Sequence, residues 1–338
     1  MQVILPGNLV CCSRHLSSFT PPTQATELPS PGRRLRDRRG APRPPAGTLL
    51  AIEPDLPWGA ALRRHWPEYA IEAGFLALFL LAAGIVTAWF ESPASPWHAA
   101  LPDPLVRRLL TALTCGLVVA TMIHSSWGRR SGSHLNPAIT LAYLRLGKIG
   151  RPDALFYVLA QCAGAAVAVL LLRAALPALL PATMAPTALA SPTGPGGEWA
   201  ALAIEVVLSA AEMLMILFTS NHSSWMRWTG TLYGLLAVAM VAWVSPLAGF
   251  GLNPARLLAL HMPGGLVTAH WLNVPAPFLG MLLGVEAWRL LPGRPAVYCV
   301  KLAHNTRGRC IFRCQHPYQA RALALEAIQR RAPNSGKP

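Results

Sequence analysis

Residues 131–140 read SGSHLNPAIT, and residues 248–257 read AGFGLNPARL. Each stretch lies between two long apolar runs, and each holds Asn-Pro-Ala in a segment too short to cross a bilayer. Asn is a strong helix N-cap. Pro is favoured at the first helical position, where its missing N–H is not needed, and Ala has the highest helix propensity. Helices are therefore predicted to begin at Asn136 and Asn253. The first runs toward Gly147 and the second stops at Pro263-Gly264-Gly265. About ten residues span roughly 15 Å at 1.5 Å per residue, half of a hydrocarbon core about 30 Å thick.

The surroundings of these triplets are those of a membrane protein. Of 338 residues, 53% are hydrophobic and 13% charged, with a mean hydropathy of +0.38. Soluble domains carry roughly 25% charged residues. Six apolar segments have the length of a spanning helix: 69–90, 106–127, 153–176, 199–219, 229–247 and 271–291. The fourth and sixth carry Glu205, Glu212 and Glu286, which weakens them as spans. One triplet falls between the second and third segments, the other between the fifth and sixth. The chain thus reads as two halves of three spans, each with a short insert before its third. Glu72 and Glu205 occupy matching places in the first helix of each half. An odd number of spans per half inverts the second half relative to the first, an arrangement that places function near the midplane.

The net charge of +15 sits mostly in two tails. Arg33, Arg34, Arg36, Arg38, Arg39, Arg43, Arg63 and Arg64 crowd the first, and Arg294, Lys301, Arg307, Arg309, Arg313, Arg321, Arg330 and Arg331 the second. No nucleic-acid motif accompanies the charge, so retention on the cytoplasmic side and contact with anionic lipid is the preferred reading. The loop 128–152 carries Arg129, Arg130, Arg145, Lys148 and Arg151, while 91–105 and 177–198 carry no Lys or Arg. Both termini are accordingly expected inside, with the chain multi-pass in a cell membrane. Arg107 and Arg108 oppose this rule and are expected to snorkel. The apolar start MQVILPGNLV lacks a basic beginning and is not a convincing signal peptide. Residues 20–57 show no periodicity and a disordered composition. The expected organisation is a disordered basic N-tail at 1–67, a membrane domain at 68–292 (halves 68–176 and 199–292) and a basic C-tail at 293–338.

Two inverted half-helices would meet near the membrane centre, N-terminus to N-terminus. Each end carries about half a positive charge. Irregular backbone at that depth is tolerated only in protein or beside a watery cavity. The meeting point would repel cations and protons while the Asn amides offer donors to a passing oxygen.

With both motifs in place, the chain resembles the aquaporin, or major intrinsic protein, family. The duplicated Asn136-Pro137-Ala138 and Asn253-Pro254-Ala255, Arg256 after the second, Glu72, Glu205 and LAQCAGA at 159–165 carry the resemblance over residues 68–292. It implies an all-α fold of six transmembrane helices plus two half-helices, homotetrameric, with one pore per subunit. It also implies passive conduction of water and small uncharged solutes with exclusion of ions, the recognised barrier of half-helix dipoles and an arginine. By the same resemblance Arg256, Phe250, Val241 and Cys115 form the selectivity constriction, with Leu113 and Thr114 as alternatives to Cys115. Cys115 and Val241 depart from the aromatic and His of water-selective members. Phe250 is similar to the glycerol facilitators, yet Leu257 stands where those have Asp. Water is the first expectation; glycerol, hydrogen peroxide, ammonia or metalloid hydroxides form the alternative, and a non-conducting membrane scaffold a further one.

An enzyme would need a nucleophile with a base or a metal in the core. The spans offer only Glu72, Glu205, Glu212 and Glu286, without evident partners, and no cofactor or nucleic acid is expected. His124 and His134 flank the first triplet, where packing is preferred to a pH gate. Trp97, Trp127, Trp199, Trp225, Trp228, Trp271 and Trp288 fall near span ends, as an interfacial belt would. The C-tail sequence VYCVKLAHNTRGRCIFRCQHPYQ at 297–319 holds Cys299, His304, Cys310, Cys314 and His316. These could supply four soft ligands to zinc or sense redox state, although the spacing matches no standard finger and an ordinary tail is preferred.

Overall fold

A computed structural model describes residues 55–178, 197–222, 224–245, 251–261, 274–304 and 310–315. Within them the chain is helical throughout its apolar part. In order come α1 (Trp58–Glu91), α2 (Pro96–Ala100), α3 (Pro104–His124), α4 (Ser126–Ser131), α5 (Pro137–Arg145), α6 (Arg151–Ala175), α7 (Gly197–Asn221), α8 (Thr229–Ala239), α9 (Pro254–His261) and α10 (Pro275–Leu290). The helices α1, α3, α6 and most of α7 are each long and apolar enough to cross a membrane. The helix α8 continues through a π-helical turn over Met240–Val244, and α10 starts at Pro275. These two occupy the fifth and sixth predicted segments. Residues 246–247 and 271–273 of those segments lie outside the described residues, as do residues 1–54 of the N-tail.

Local sequence explains the starts. Asp103 Oδ1 accepts from Leu105 N at 2.8 Å and Pro104 follows it, opening α3. Ser125 closes α3 and caps α4, its hydroxyl accepting from Gly128 N at 2.9 Å. Pro152 occupies the first turn of α6.

The packing repeats between the halves. The helix α1 lies along α6, as α7 lies along α10, and α3 crosses α8. Small residues make these crossings close, as expected where lipid supplies no hydrophobic drive and van der Waals contact must. A Cβ on Gly164 of α6 would fall on the Ala73 carbonyl of α1. One on Gly280 of α10 would fall on the Val206 carbonyl of α7. Between α3 and α8, Gly116 and Gly234 face each other, so that a Cβ on Gly234 would stand 2.6 Å from Gly116 O.

Four expectations are corrected. Residues 58–67, assigned to the N-tail, form the first three turns of α1. Asp153 of α6 holds them, accepting from Tyr69 OH at 2.5 Å and pairing with His65 Nδ1 at 2.7 Å; Arg130 pairs with Glu68 at 3.0 Å. The start of the C-tail is likewise packed, since Cys299, Val300, Leu302, Ala303 and Phe312 join the main apolar core. Trp288 is buried in that core rather than at an interface, whereas Trp97, Trp127, Trp199, Trp225 and Trp228 are exposed. Trp271 lies outside the described residues. Arg107 does not snorkel to water: it is buried, pairs with Glu91 at 3.5 Å and donates to the carbonyls of Leu101 and Pro102.

Candidate functional site

The two Asn-Pro-Ala triplets cap α5 and α9. Asn136 Oδ1 accepts from Ala138 N at 2.9 Å, and Asn253 Oδ1 accepts from Ala255 N at 3.1 Å and Arg256 N at 3.4 Å. The amides then cross to the opposite loop. Asn136 Nδ2 donates to Leu252 O at 2.9 Å, and Asn253 Nδ2 donates to Leu135 O at 2.7 Å. This reciprocal pair locks the two helix N-termini together. Each Asn amide carries two N–H groups, so one on each remains after the crossing bond is made. At 9 and 8 residues, the helices are roughly 14 and 12 Å long.

The residue before each triplet is strained. Leu135 has φ 53° and Leu252 φ 28°, a region that costs a non-glycine residue about 1–3 kcal/mol. A buried carboxylate answers each. Glu72 of α1 accepts from Leu135 N at 2.7 Å, His134 N at 3.1 Å, Ser131 Oγ at 2.8 Å and Gln161 Nε2 at 2.9 Å. Glu205 of α7 accepts from Leu252 N at 2.7 Å and Gly251 N at 2.5 Å. The two acids that the sequence pairs by position thus hold equivalent loops, and Gln161 of LAQCAGA serves the same clamp.

Beside the joined N-termini lies a cavity of about 60 Å³, lined by Asn136, Asn253, Arg256, Glu212 and Tyr233 among apolar neighbours that include Leu76, Phe79, Val119, Leu236 and Met240. A single water needs about 10–15 Å³ by this measure, so more than one fits. Arg256 sits one turn into α9, half-buried, within electrostatic reach of Glu205 and Cys115. Cys115 and Val241 are buried together with Ala112 and Ala242, and Phe79 of the cavity wall packs against them. Phe250 lies outside the described residues.

Sequence reasoning missed partners for all four membrane acids. Beyond Glu72 and Glu205, Glu286 pairs with Arg145 at 2.8 Å and Arg289 at 3.2 Å. Glu212 accepts from Tyr233 OH at 2.5 Å through one oxygen, while its other oxygen is buried without a protein partner among the described residues. Glu212 and Tyr233 therefore put a polar pair on the cavity wall. A helical-wheel offset of seven from Glu205 places Glu212 on the same face of α7, the one signal that was available. His134 is buried, bonded to Thr140 Oγ1 at 3.0 Å and stacked on Tyr143 and Phe312. His124 bonds Thr231 Oγ1 at 3.1 Å. Away from the cavity, Cys299, His304, Cys310 and Cys314 come together at the loop before α5; His316 lies outside the described residues.

Residues 68–288 match the family described as Major intrinsic protein. Among relatives, the chain is 31% identical over 215 residues to rat (Rattus norvegicus) Aquaporin-6, covering 63% of this chain and 74% of the relative. It is 31% identical over 219 residues to the lens fiber major intrinsic protein of Gallus gallus, covering 64% and 78%. In three dimensions it is similar to the X-ray structure of the aquaglyceroporin from Plasmodium falciparum. The TM-score is 0.53 at 19% identity, covering 67% of this chain and 96% of that one.

Proposed function

Because the chain belongs to the major intrinsic protein family of multi-pass membrane channels, which are not enzymes, we propose that it conducts water and small uncharged solutes passively while excluding ions and protons. The observation that carries this reading is the reciprocal bonding of Asn136 and Asn253 beside a cavity that also holds Arg256. Two helix N-termini and a guanidinium place positive potential on one route, which repels cations and hydronium. The remaining amide N–H groups serve as donors to a neutral oxygen. Arg256, Phe250, Val241 and Cys115 are the proposed selectivity constriction, with both termini in the cytoplasm and the protein a homotetramer in the cell membrane. Stopped-flow light scattering on proteoliposomes tests the reading. Water permeability should exceed that of empty liposomes; equal permeabilities to water and glycerol with and without protein would instead favour a membrane scaffold.

Arg256→Val is expected to leave water flux within about threefold of the parent while raising proton leak at least about tenfold, since a fixed positive charge beside the joined helix N-termini is expected to shape the barrier by more than about 1.4 kcal/mol. A pH-sensitive dye inside the liposomes reads the leak, and an unchanged leak refutes the assigned role.

A second reading, conduction of glycerol, hydrogen peroxide, ammonia or metalloid hydroxides, is supported by Glu212 and Tyr233 on the cavity wall. A carboxylate oxygen there accepts from a hydroxylated solute as it passes. Glu212→Leu should lower glycerol permeability relative to water by about 2–10-fold, the worth of one hydrogen bond of about 0.5–1.5 kcal/mol. A ratio that does not move removes Glu212 from the solute's path.

A further inference from the structure

Four side chains after the last helix converge although the sequence spreads them over sixteen residues. Cys299, His304, Cys310 and Cys314 each place a ligand atom within 4.8 Å of the other three. Cys299 Sγ stands 3.6 Å from Cys310 Sγ, and His304 Nε2 stands 3.1 Å from Cys314 Sγ. None of the three cysteines is in a disulfide. Tetrahedral zinc, with Zn–S of about 2.3 Å and Zn–N of about 2.0–2.1 Å, sets its sulfurs about 3.8 Å apart and sulfur to nitrogen about 3.5 Å. The observed separations lie within half an ångström of both values. Three thiolates and one imidazole are a donor set that structural zinc takes, and they leave no open position for substrate.

The two arms that carry these ligands sit on the loops that flank α5, before and after the first half-helix. Leu302 N donates to Gly132 O at 3.1 Å, and Arg313 N donates to Lys148 O at 3.1 Å. Phe312 stacks on His134 at 5.7 Å between ring centres, two residues before Asn136. Gly132, at φ 100°, leaves room for that contact, since a Cβ there would meet Phe312 at 3.2 Å. Val300, Leu302, Ala303 and Phe312 seat the arms in the main apolar core, which fixes the four donors close together, and a shared metal is the cross-link that fits them.

We propose that Cys299, His304, Cys310 and Cys314 form a closed, structural zinc site that staples the C-terminal arms onto the loop before the first Asn-Pro-Ala helix. The site is separate from the cavity, and its existence does not depend on what the channel conducts. The ion adds a cross-link to a contact already made by apolar packing, the Phe312–His134 stack and backbone hydrogen bonds, and its loss is expected to loosen the loop that positions His134 and Asn136.

The test uses the full chain purified in detergent under reducing conditions, loaded with zinc and dialysed against a weak chelator. Elemental analysis is expected to give about one zinc per chain, and cobalt replacing it should show the intense visible bands of a tetrahedral thiolate site. Cys310→Ser and Cys314→Ser should each weaken zinc binding at least about tenfold, whereas Cys162→Ser on α6 should not change it. Should the tail variants fail to fold, the parent chain still decides: zinc is expected to protect Cys299, Cys310 and Cys314 from alkylation, and a strong chelator to expose them. Less than about a tenth of an equivalent of zinc after loading overturns the proposal. So does alkylation of the three thiols at one rate with and without zinc, or a disulfide between Cys299 and Cys310 in the reduced preparation.

Discussion

Glu72→Leu is expected to destroy the folded channel rather than retune it. Leu approximates the volume of the carboxylate but accepts nothing. Ser131 Oγ, the N–H groups of His134 and Leu135, and Gln161 Nε2 all donate to Glu72, and all would lose their acceptor inside the protein. Removing one partner from such a buried network costs about 3–5 kcal/mol. Leu135 would also keep its left-handed backbone with nothing holding its N–H. The thermal midpoint of monodisperse protein in detergent should fall far below the parent's, and liposome water permeability per chain should vanish with it. Glu205→Leu orphans two N–H groups in place of four donors, so its midpoint should fall less. A Glu72→Leu chain as heat-stable as the parent would rule out the clamp.

Gly164→Val should prevent α1 and α6 from seating. The Cβ of any larger residue would fall on the Ala73 carbonyl, which is helix backbone and cannot rotate aside. The helices would have to separate along their whole contact, against a typical overpacking cost of about 1–3 kcal/mol for side chains that can yield. A cost above that range is expected here, with the protein recovered mainly as aggregate on size-exclusion chromatography. Gly74→Ala is the internal control. It lies next to Ala73 on the same helix, and a Cβ there meets nothing within 4 Å, so it should elute and conduct like the parent. Equal behaviour of Gly164→Val and Gly74→Ala would show that the close approach is dispensable.

The outline of the fold was legible because its signals are local or periodic. Lengths of apolar sequence report spans directly, since bilayer thickness fixes them. Asn-Pro-Ala reports a helix start whether or not a span follows, since the cap is made within three residues. Doubling of that pattern with Glu72 and Glu205 in matching places reports the inverted halves. Where one residue's environment is decided by another far along the chain, reading failed. Residues 58–67 looked like tail because their basic composition hides the reach of His65 and Tyr69 to Asp153. Trp288 looked like an anchor because it stands near a helix end, yet it is buried in the core.

The polar residues divide the same way. Arg256 was legible from its place one residue past the second triplet, and it lines the cavity. Glu212 was visible only as a charge weakening a hydrophobic segment. Its partner Tyr233 comes from the neighbouring helix, twenty-one residues on, and no local pattern couples the two. Cys115 and Val241 were placed by counting from the motifs. The structure packs them together with Phe79 against them, and Phe79, Val119 and Met240 line the cavity.

By itself the sequence determined a membrane chain of two inverted halves, each with a capped half-helix, because helix capping, bilayer length and charge deficit act over short distances. Tertiary structure alone decided what holds the two triplets together. The amides of Asn136 and Asn253 could have pointed anywhere until each met the carbonyl before the other. Glu72 and Glu205 became clamps only when α1 and α7 packed beside strained Leu135 and Leu252. The physical reason is that a buried donor or acceptor must find a partner, and which partner it finds depends on how helices pack across the fold.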